Sequence, residues 1–401
     1  MANDRLHSAK INKNDEFYTR YEDIETEMNA YYEHNKDVFR DKTILLPCDD
    51  PEWSNFTRYF AQNFERFGIK KLISTSYAKG VGNKQLTIFE LESPNYDVDK
   101  HDTHGKLFTL TRDTNGSGKI DLDDIEFHGY LEGDGDFRSA EVTALRDECD
   151  IVITNPPFSL FREFVSWIVE ANKSFIIMGN KSAISNAEFF PLFLSNKVWV
   201  GYTSLNGGRW MIMPKDIDIQ SDKAKPDGNG NMLLNVAGVC WYTNLEHGKK
   251  HKIYPLDTMA HNLKFNSKLK EKFESEYGKI EYPKYDNYDA IEVPFIECIP
   301  SDYDGIMGVP VTFMNVFNPE QFELLGCTQR GCHDLVPDTK KYDDYLEINY
   351  KTGKPTGSSG NKTNENANLA KNDGKHNYFI NTEGHIVQSA YSRIFIRRKE
   401  S

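Results

Sequence analysis

The run Asp150-Ile-Val-Ile-Thr-Asn-Pro-Pro-Phe158 constrains this chain more than any other stretch of it. Ile151 to Thr154 are apolar-leaning and read as a buried parallel strand. Pro156 and Pro157 carry no N–H, so the strand must stop there and leave Asn155 at its carboxyl end. In an open α/β sheet, that edge is where ligands bind. A rigid Pro-Pro turn would hold the Asn155 amide and the Pro156 carbonyl in one geometry, with Phe158 as a flat aromatic face beside them.

Such a group of residues suits an amino group attached to a flat ring. The Asn155 side-chain oxygen and the Pro156 carbonyl can each accept a hydrogen bond from an exocyclic NH2, drawing its lone pair out of conjugation while Phe158 stacks on the ring. Asn155-Pro-Pro-Phe158 matches the motif of S-adenosylmethionine-dependent amino-methyltransferases, which act on adenine N6 and less often on cytosine N4 or an amide nitrogen. The plainer alternative is a strand followed by an ordinary Asn-Pro turn.

The rest of the chain is expected to be strand, loop and helix in alternation. Thr43 to Leu46 form a strand ended by Pro47, followed by Asp49-Asp50-Pro51-Glu52 and a helical pattern through Phe56, Tyr59, Phe60 and Phe64. Further strands are expected at 69–74, 149–154 and 174–178, and a helix at 161–169. That order implies an α/β fold with a Rossmann-like, doubly wound sheet. Residues 86–131 and 206–231 interrupt it with hairpin chemistry, and Leu233 to Leu245 reads as a late sheet strand. From 246 the regularity fades, 352–376 is a Gly/Ser/Asn/Lys-rich tract expected to be mobile, and Ala390 to Ile396 is strand-like again.

Composition narrows the function. A formal net charge of -13 argues against a protein that simply coats nucleic acid, although a local basic face would still bind phosphates. Basic clusters at 249–252, at 264–272 and at Arg393, Arg397, Arg398 and Lys399 are either solvated surface or such contacts. The cysteines at 48, 149, 240, 298, 327 and 332 form no Cys-x-x-Cys pair, so neither a zinc site nor a disulfide framework is suggested and a reducing cytoplasm fits. With no basic-then-apolar leader and no apolar run approaching about 18 residues, no membrane association is expected.

Phe17-Tyr18-Thr19 before a helix, the strand-loop-helix at 43–60, Gly133-Asp-Gly-Asp-Phe-Arg138 and Asn155-Pro-Pro-Phe158, in that order, resemble the adenine-specific DNA methyltransferases of the EcoRI modification-enzyme type. The likeness takes in Cys48-Asp-Asp-Pro51 and the terminal Arg393-Ile-Phe-Ile-Arg397. It implies a catalytic domain over 1–245, with insertions near 86–131 and 206–231, and a target-recognition region over 246–401. It further implies S-adenosylmethionine as cofactor, double-stranded DNA as substrate, and a monomer whose cognate restriction endonuclease, if any, is a separate protein.

The resemblance also places roles on residues. Asn155, Pro156, Pro157 and Phe158 would be catalytic, holding a flipped adenine without a metal or a strong base. The loop Pro47 to Ser54, through Pro47, Cys48, Asp49 and Asp50, would hold the methionine part of the cofactor, either acid pairing with its ammonium or lying near its sulfonium, unless both cap the helix that begins near Trp53. Asp136 would accept from the cofactor's adenine amino group and the Phe137 N–H would meet a ring nitrogen, unless this is a plain turn. Tyr18 and Thr19 would lie over the carboxylate end, unless Thr19 is a helix cap. Two departures stand out: the usual glycine-rich loop is missing, and the second strand, ending Ser74-Thr-Ser76, lacks the acid expected for the ribose hydroxyls. Asn206, Arg209 and Lys215 are candidate base readers by loop position alone.

Three competing readings remain open. Asp113 to Asp124 has the spacing of a calcium-binding EF-hand loop, but its flanks read as strands, so a hairpin with an Asn-Gly turn is favoured. An RNA adenine or protein amide methyltransferase would share the tetrapeptide. A binding protein that keeps the fold and has lost transfer would explain both departures.

Overall fold

The computed structural model describes residues 17–78, 96–213, 224–228, 230–328, 332, 335–337, 345–360, 366–369, 372, 374–381, 383–389 and 392–399. The chain divides into two compact units, Met1–Lys181 with Val198–Gly248, and Ser182–Lys197 with Lys249–Ser401.

In the first unit, helices α1 (Tyr21–His34), α2 (Asn55–Gln62), α3 (Phe64–Phe67), α4 (Ala140–Glu148) and α5 (Phe161–Glu170) accompany strands β1 (Thr43–Leu46), β2 (Lys71–Thr75), β3 (Lys106–Leu110), β4 (Glu126–Tyr130), β5 (Ile151–Thr154), β6 (Ser174–Asn180), β7 (Trp199–Val200), β8 (Gly208–Ile212), β9 (Ala224–Pro226), β10 (Met232–Ala237) and β11 (Val239–Thr243). Eight of these strands form one mixed sheet in the order β4-β3-β2-β1-β5-β6-β11-β7. The central four run parallel, whereas β3 and β4 on one margin and β11 and β7 on the other are antiparallel. Apolar character follows from that placement: every residue of β1 and β5 is buried, as strands covered on both faces must be.

Helix α2 shows how local sequence builds the core. Ser54 caps it, its hydroxyl oxygen accepting from the N–H groups of Phe56 and Thr57. Phe56, Tyr59 and Phe60 then fall on one face and enter a cluster with Ile44, Leu46, Ile151 and Ile153. Fully burying each ring stabilises by about 1.5–3 kcal/mol, and Phe60→Ala would cost about 3–5 kcal/mol.

The late apolar stretch is two strands rather than one. Gly238 takes a positive φ of 79° between β10 and β11, a conformation open to glycine, and turns the chain from one sheet to another. β10 joins a small sheet in the order β8-β10-β9, and β11 pairs with β6 in the large one. The insertion expected over 86–131 supplies β3 and β4 to the large sheet; its residues 86–95 lie outside the described part.

The second unit holds α6 (Phe190–Leu194), α7 (Met259–Phe265), α8 (Ser267–Tyr277) and strands β12 (Ala290–Glu292), β13 (Ile306–Pro310), β14 (Phe322–Cys327), β15 (Tyr345–Ile348), β16 (Pro355–Gly360), β17 (Asn366–Leu369), β18 (Tyr378–Ile380), β19 (Ile386–Ser389) and β20 (Arg393–Arg398). They form a four-stranded sheet, β12-β13-β20-β14, and a five-stranded one, β16-β15-β18-β19-β17. The terminal strand is therefore internal to its sheet, and β16 and β17 within the tract expected to be loose are paired with neighbours.

Candidate active site

Strands β1 and β5 are parallel neighbours, with Ile44 opposite Ile151 and Leu45 opposite Val152, so the loops that follow them emerge on one edge. β2 lies on the far side of β1 and β6 on the far side of β5, so strand order reverses between the two loops, the place where open α/β sheets bind ligands.

One buried carboxylate ties the loops together. The Thr154 hydroxyl lies 2.6 Å from Asp49 Oδ2 and 2.8 Å from the Pro47 carbonyl, and its single proton is shared between these acceptors. Asp49 Oδ1 accepts from the Ser54 hydroxyl at 2.8 Å, and Ser54 caps α2. Neither Asp49 nor Asp50 caps that helix. The Asp49 carbonyl accepts from the hydroxyls of Thr57, at 3.0 Å, and Ser74. Cys48 adopts φ 66° and its N–H reaches Thr75 Oγ1 at 3.3 Å. The loop thus makes the left-handed bend of a glycine without one, at a cost of about 1–2 kcal/mol.

Asn155 is half-buried, and its Nδ2 donates to the Phe17 carbonyl at 2.6 Å. A carbonyl only accepts, so this contact fixes the amide's orientation and sends Oδ1 the other way. Oδ1 is buried with no hydrogen-bond partner among the described residues. Pro156 is buried, Pro157 and Phe158 are half-buried, and Phe158 packs against the core cluster at the start of the turn into α5.

The Phe17 segment is held from two sides. Tyr18 exchanges backbone bonds with Ile212 of β8 at 2.9 and 2.8 Å. Thr19 is buried, its hydroxyl 3.0 Å from Met178 Sδ and its carbonyl accepting from Asn55 Nδ2 at 2.8 Å. Arg20 occupies the N-cap position of α1 without a side-chain capping bond, so Thr19 does not serve as its cap.

The Gly133 to Asp136 turn packs on the carboxyl end of β2: Ala78 N–H donates to the Asp134 carbonyl at 2.7 Å, and a Cβ on Gly135, at φ 85°, would collide with the Ser76 carbonyl. Asp136 is engaged by Arg138, through the backbone N–H and Nε to Oδ1 and Nη2 to Oδ2 at 2.6 Å. The Phe137 ring is buried edge-on against Phe164 and Trp167, at 4.9 and 5.5 Å.

Burial raises the Asp50 carboxyl above the usual range, outweighing the nearby ammonium of Lys106. Lys106 is itself 4% exposed, with Nζ 3.6 Å from both Asp50 Oδ2 and Glu52 Oε2. Sequence reasoning missed Lys106 and Asn55, and it placed Ser54 in the loop without its capping role, although a serine directly before an apolar-periodic run carries that signal.

Of the proposed base readers, Asn206 is exposed, Arg209 donates through Nη2 to Thr203 Oγ1, and Lys215 lies outside the described residues. In the 113–124 loop, Asp113 accepts from the N–H groups of Gly116, Ser117 and Gly118, and Asp124 from those of Thr114, Asn115 and Asp121. Strands β3 and β4 flank it, as a hairpin requires. None of the six cysteines forms a disulfide, and no described helix is long and apolar enough to cross a membrane.

A family model described as adenine-specific methyltransferase EcoRI matches residues 5–399. The Type II methyltransferase M.EcoRI of Escherichia coli is 41% identical over 325 residues, covering 81% of this chain and 89% of the relative. Two relatives are each 33% identical and cover 85% of this chain and 91% of their own: M.MgeORF184P of Mycoplasma genitalium and M.MpnI of Mycoplasma pneumoniae. No solved structure matches.

Proposed function

The chain belongs to the EcoRI family of adenine-specific methyltransferases, and on that premise we propose that it methylates adenine N6 within one short sequence of double-stranded DNA, as the modification enzyme of a restriction-modification system. The observation that carries this reading is the buried, unpartnered Oδ1 of Asn155. An empty buried acceptor costs about 1–3 kcal/mol, and an exocyclic amine is the donor that would satisfy it.

In this reading Asn155 Oδ1 and the Pro156 carbonyl accept the two N–H bonds of the amine, and Phe158 stacks on the ring. Held so, the nitrogen lone pair is directed into the crevice between the β1 and β5 loops. When bound, S-adenosylmethionine supplies an electrophilic methyl group on a sulfonium. The residues present fit such a cation: Asp49, Asp50 and Glu52 outnumber Lys106 at the edge, so local charge favours a positive ligand. Asp49 and Asp50 would face the methionine part with Pro47 and Cys48, Tyr18 and Thr19 would close its carboxylate end, and Asp136 with the Phe137 N–H would meet the adenine. The amine's proton leaves to solvent after transfer, so no strong base is required. A stacked base cannot reach this pocket, so the target adenine flips out of the duplex at a cost of a few kcal/mol.

The eight-stranded sheet is read as the doubly wound catalytic core, within a domain over 1–245, and 246–401 as the target-recognition region. The enzyme is taken to act in the cytoplasm as a monomer, with any cleavage left to a separate endonuclease. The test is transfer of labelled methyl to unmethylated duplex DNA, followed by nucleoside analysis. N6-methyladenine confined to one short sequence supports the proposal; label found only in RNA or protein, or nowhere, overturns it.

A further inference from the structure

The end of β2 is where nucleotide-binding sheets place an acid for the ribose hydroxyls, and here three hydroxyl residues stand instead. All three are engaged in holding loops. Ser74 Oγ donates to the Asp49 carbonyl, Thr75 Oγ1 accepts from Cys48 N–H, and Ser76 Oγ accepts from Lys106 N–H at 2.9 Å.

Lys106 stands directly opposite that strand end. Ser76 N–H donates to its carbonyl at 3.0 Å, and its side chain is 5% exposed. Both carboxylate oxygens nearest Nζ are 3.6 Å away. Charge-assisted N–H···O bonds run about 2.7–2.9 Å, so both contacts are ion pairs longer than a full hydrogen bond. Among the described residues no other group accepts from Nζ, although an ammonium carries three donors. An ammonium with donors left over takes a further acceptor, water or a ligand oxygen, into its shell. Glu52 is the more open of its two carboxylate neighbours, with a side chain 21% exposed against 8% for Asp50. Asp50 also accepts from the Glu52 N–H and shapes the turn.

A ribose hydroxyl both accepts and donates, so it fits a site that offers an ammonium and a carboxylate together. We propose that Lys106 and Glu52 form the ribose subsite of the cofactor pocket: Glu52 accepts from the diol in place of the missing acid, and Lys106 holds Glu52 at the end of β2 and donates to a hydroxyl oxygen. This rests on the cofactor reading above.

The test is titration calorimetry on the full chain without DNA, using S-adenosylhomocysteine and its 2′,3′-dideoxy analogue. The wild-type chain should prefer the hydroxylated ligand about tenfold or more, the value of one hydrogen bond to a charged group. Glu52→Gln and Lys106→Met should lose most of that preference while binding the dideoxy ligand as the wild type does. Because Lys106→Met leaves Asp50 buried without its cation, Glu52→Gln at the more open position decides the matter if the lysine variant fails to fold. A preference that survives intact in Glu52→Gln overturns the subsite. A wild-type chain that binds neither ligand overturns the cofactor reading itself.

Discussion

Asn155 in the first unit and Glu292 in the second are both polar side chains in largely apolar surroundings, yet their hydrogen bonds end differently. Glu292, 1% exposed, receives Arg393 Nη2 at 2.5 Å and Nε at 3.0 and 3.1 Å, and the Tyr285 hydroxyl as well. Gly308 of β13, between their strands, makes room: a Cβ there would collide with Tyr285. That knot is closed, and a closed buried network serves a unique packing. Asn155 spends its amide N–H on Phe17 and leaves Oδ1 empty. The difference teaches that an open acceptor counts by where it stands: other buried polar atoms among the described residues also lack partners, both amide atoms of Asn287 among them, but Asn155 Oδ1 lies at the carboxyl end of β5, beside the Pro-Pro turn.

Asn155→Ala is the strongest test of that contrast. It should lower methyl transfer by about a thousandfold or more, about 4 kcal/mol, while cofactor binding measured by calorimetry stays within a few-fold. Normal methylation would mean the open acceptor is not the catalytic one.

Next in size is Arg393→Met, expected to destabilise the second unit by about 3–5 kcal/mol because Glu292 stays buried without its partner. Adding Glu292→Gln should recover much of that loss in chemical denaturation. A single variant as stable as the wild type would show that Glu292 does not need Arg393 to stay buried.

Thr154→Val probes the link between the two loops and should be milder. Removing the hydroxyl that Asp49 and Pro47 share should lower the transfer rate about tenfold, with KM for DNA unchanged. If KM alone moves, Thr154 serves binding and not the placement of Asn155.

The smallest effect concerns pH. Hydrogen bonds from the N–H of Asp121, then those of Thr114 and Asn115, hold the Asp124 carboxyl below the usual range. Its native pKa lies below its unfolded one, so its contribution is present above the ordinary value of about 3.9 and is lost as pH falls through the native value. Asp124→Asn should therefore flatten the acid limb of the stability curve, read by circular dichroism. Asp50 has the opposite sign, because burial raises its carboxyl; its contribution is present at low pH and lost as pH rises through the native pKa.

The legible parts of the fold were those written in periodicity. β1, β5, β6, α2 and α5 follow from apolar patterns and from the prolines that stop two strands. The Leu233 to Leu245 stretch misled because its apolar pattern continues through Gly238, and only the backbone turn shows that two sheets share it. Asp49 and Asp50 looked interchangeable, whereas burial gave one to Thr154 and Ser54 and the other to the Glu52 N–H and Lys106.

What the sequence determined by itself is the chemistry on offer: an Asn at a strand's carboxyl end, a Pro-Pro turn and an aromatic ring, all local and rigid. What tertiary structure alone decided is which way that Asn faces. Its orientation comes from the carbonyl of Phe17, 138 positions away, and hydrogen-bond partners so distant leave no periodic trace in the chain. The same holds for Lys106, whose charge was visible and whose place opposite Ser76 was not, because pairing register across strands depends on the whole sheet.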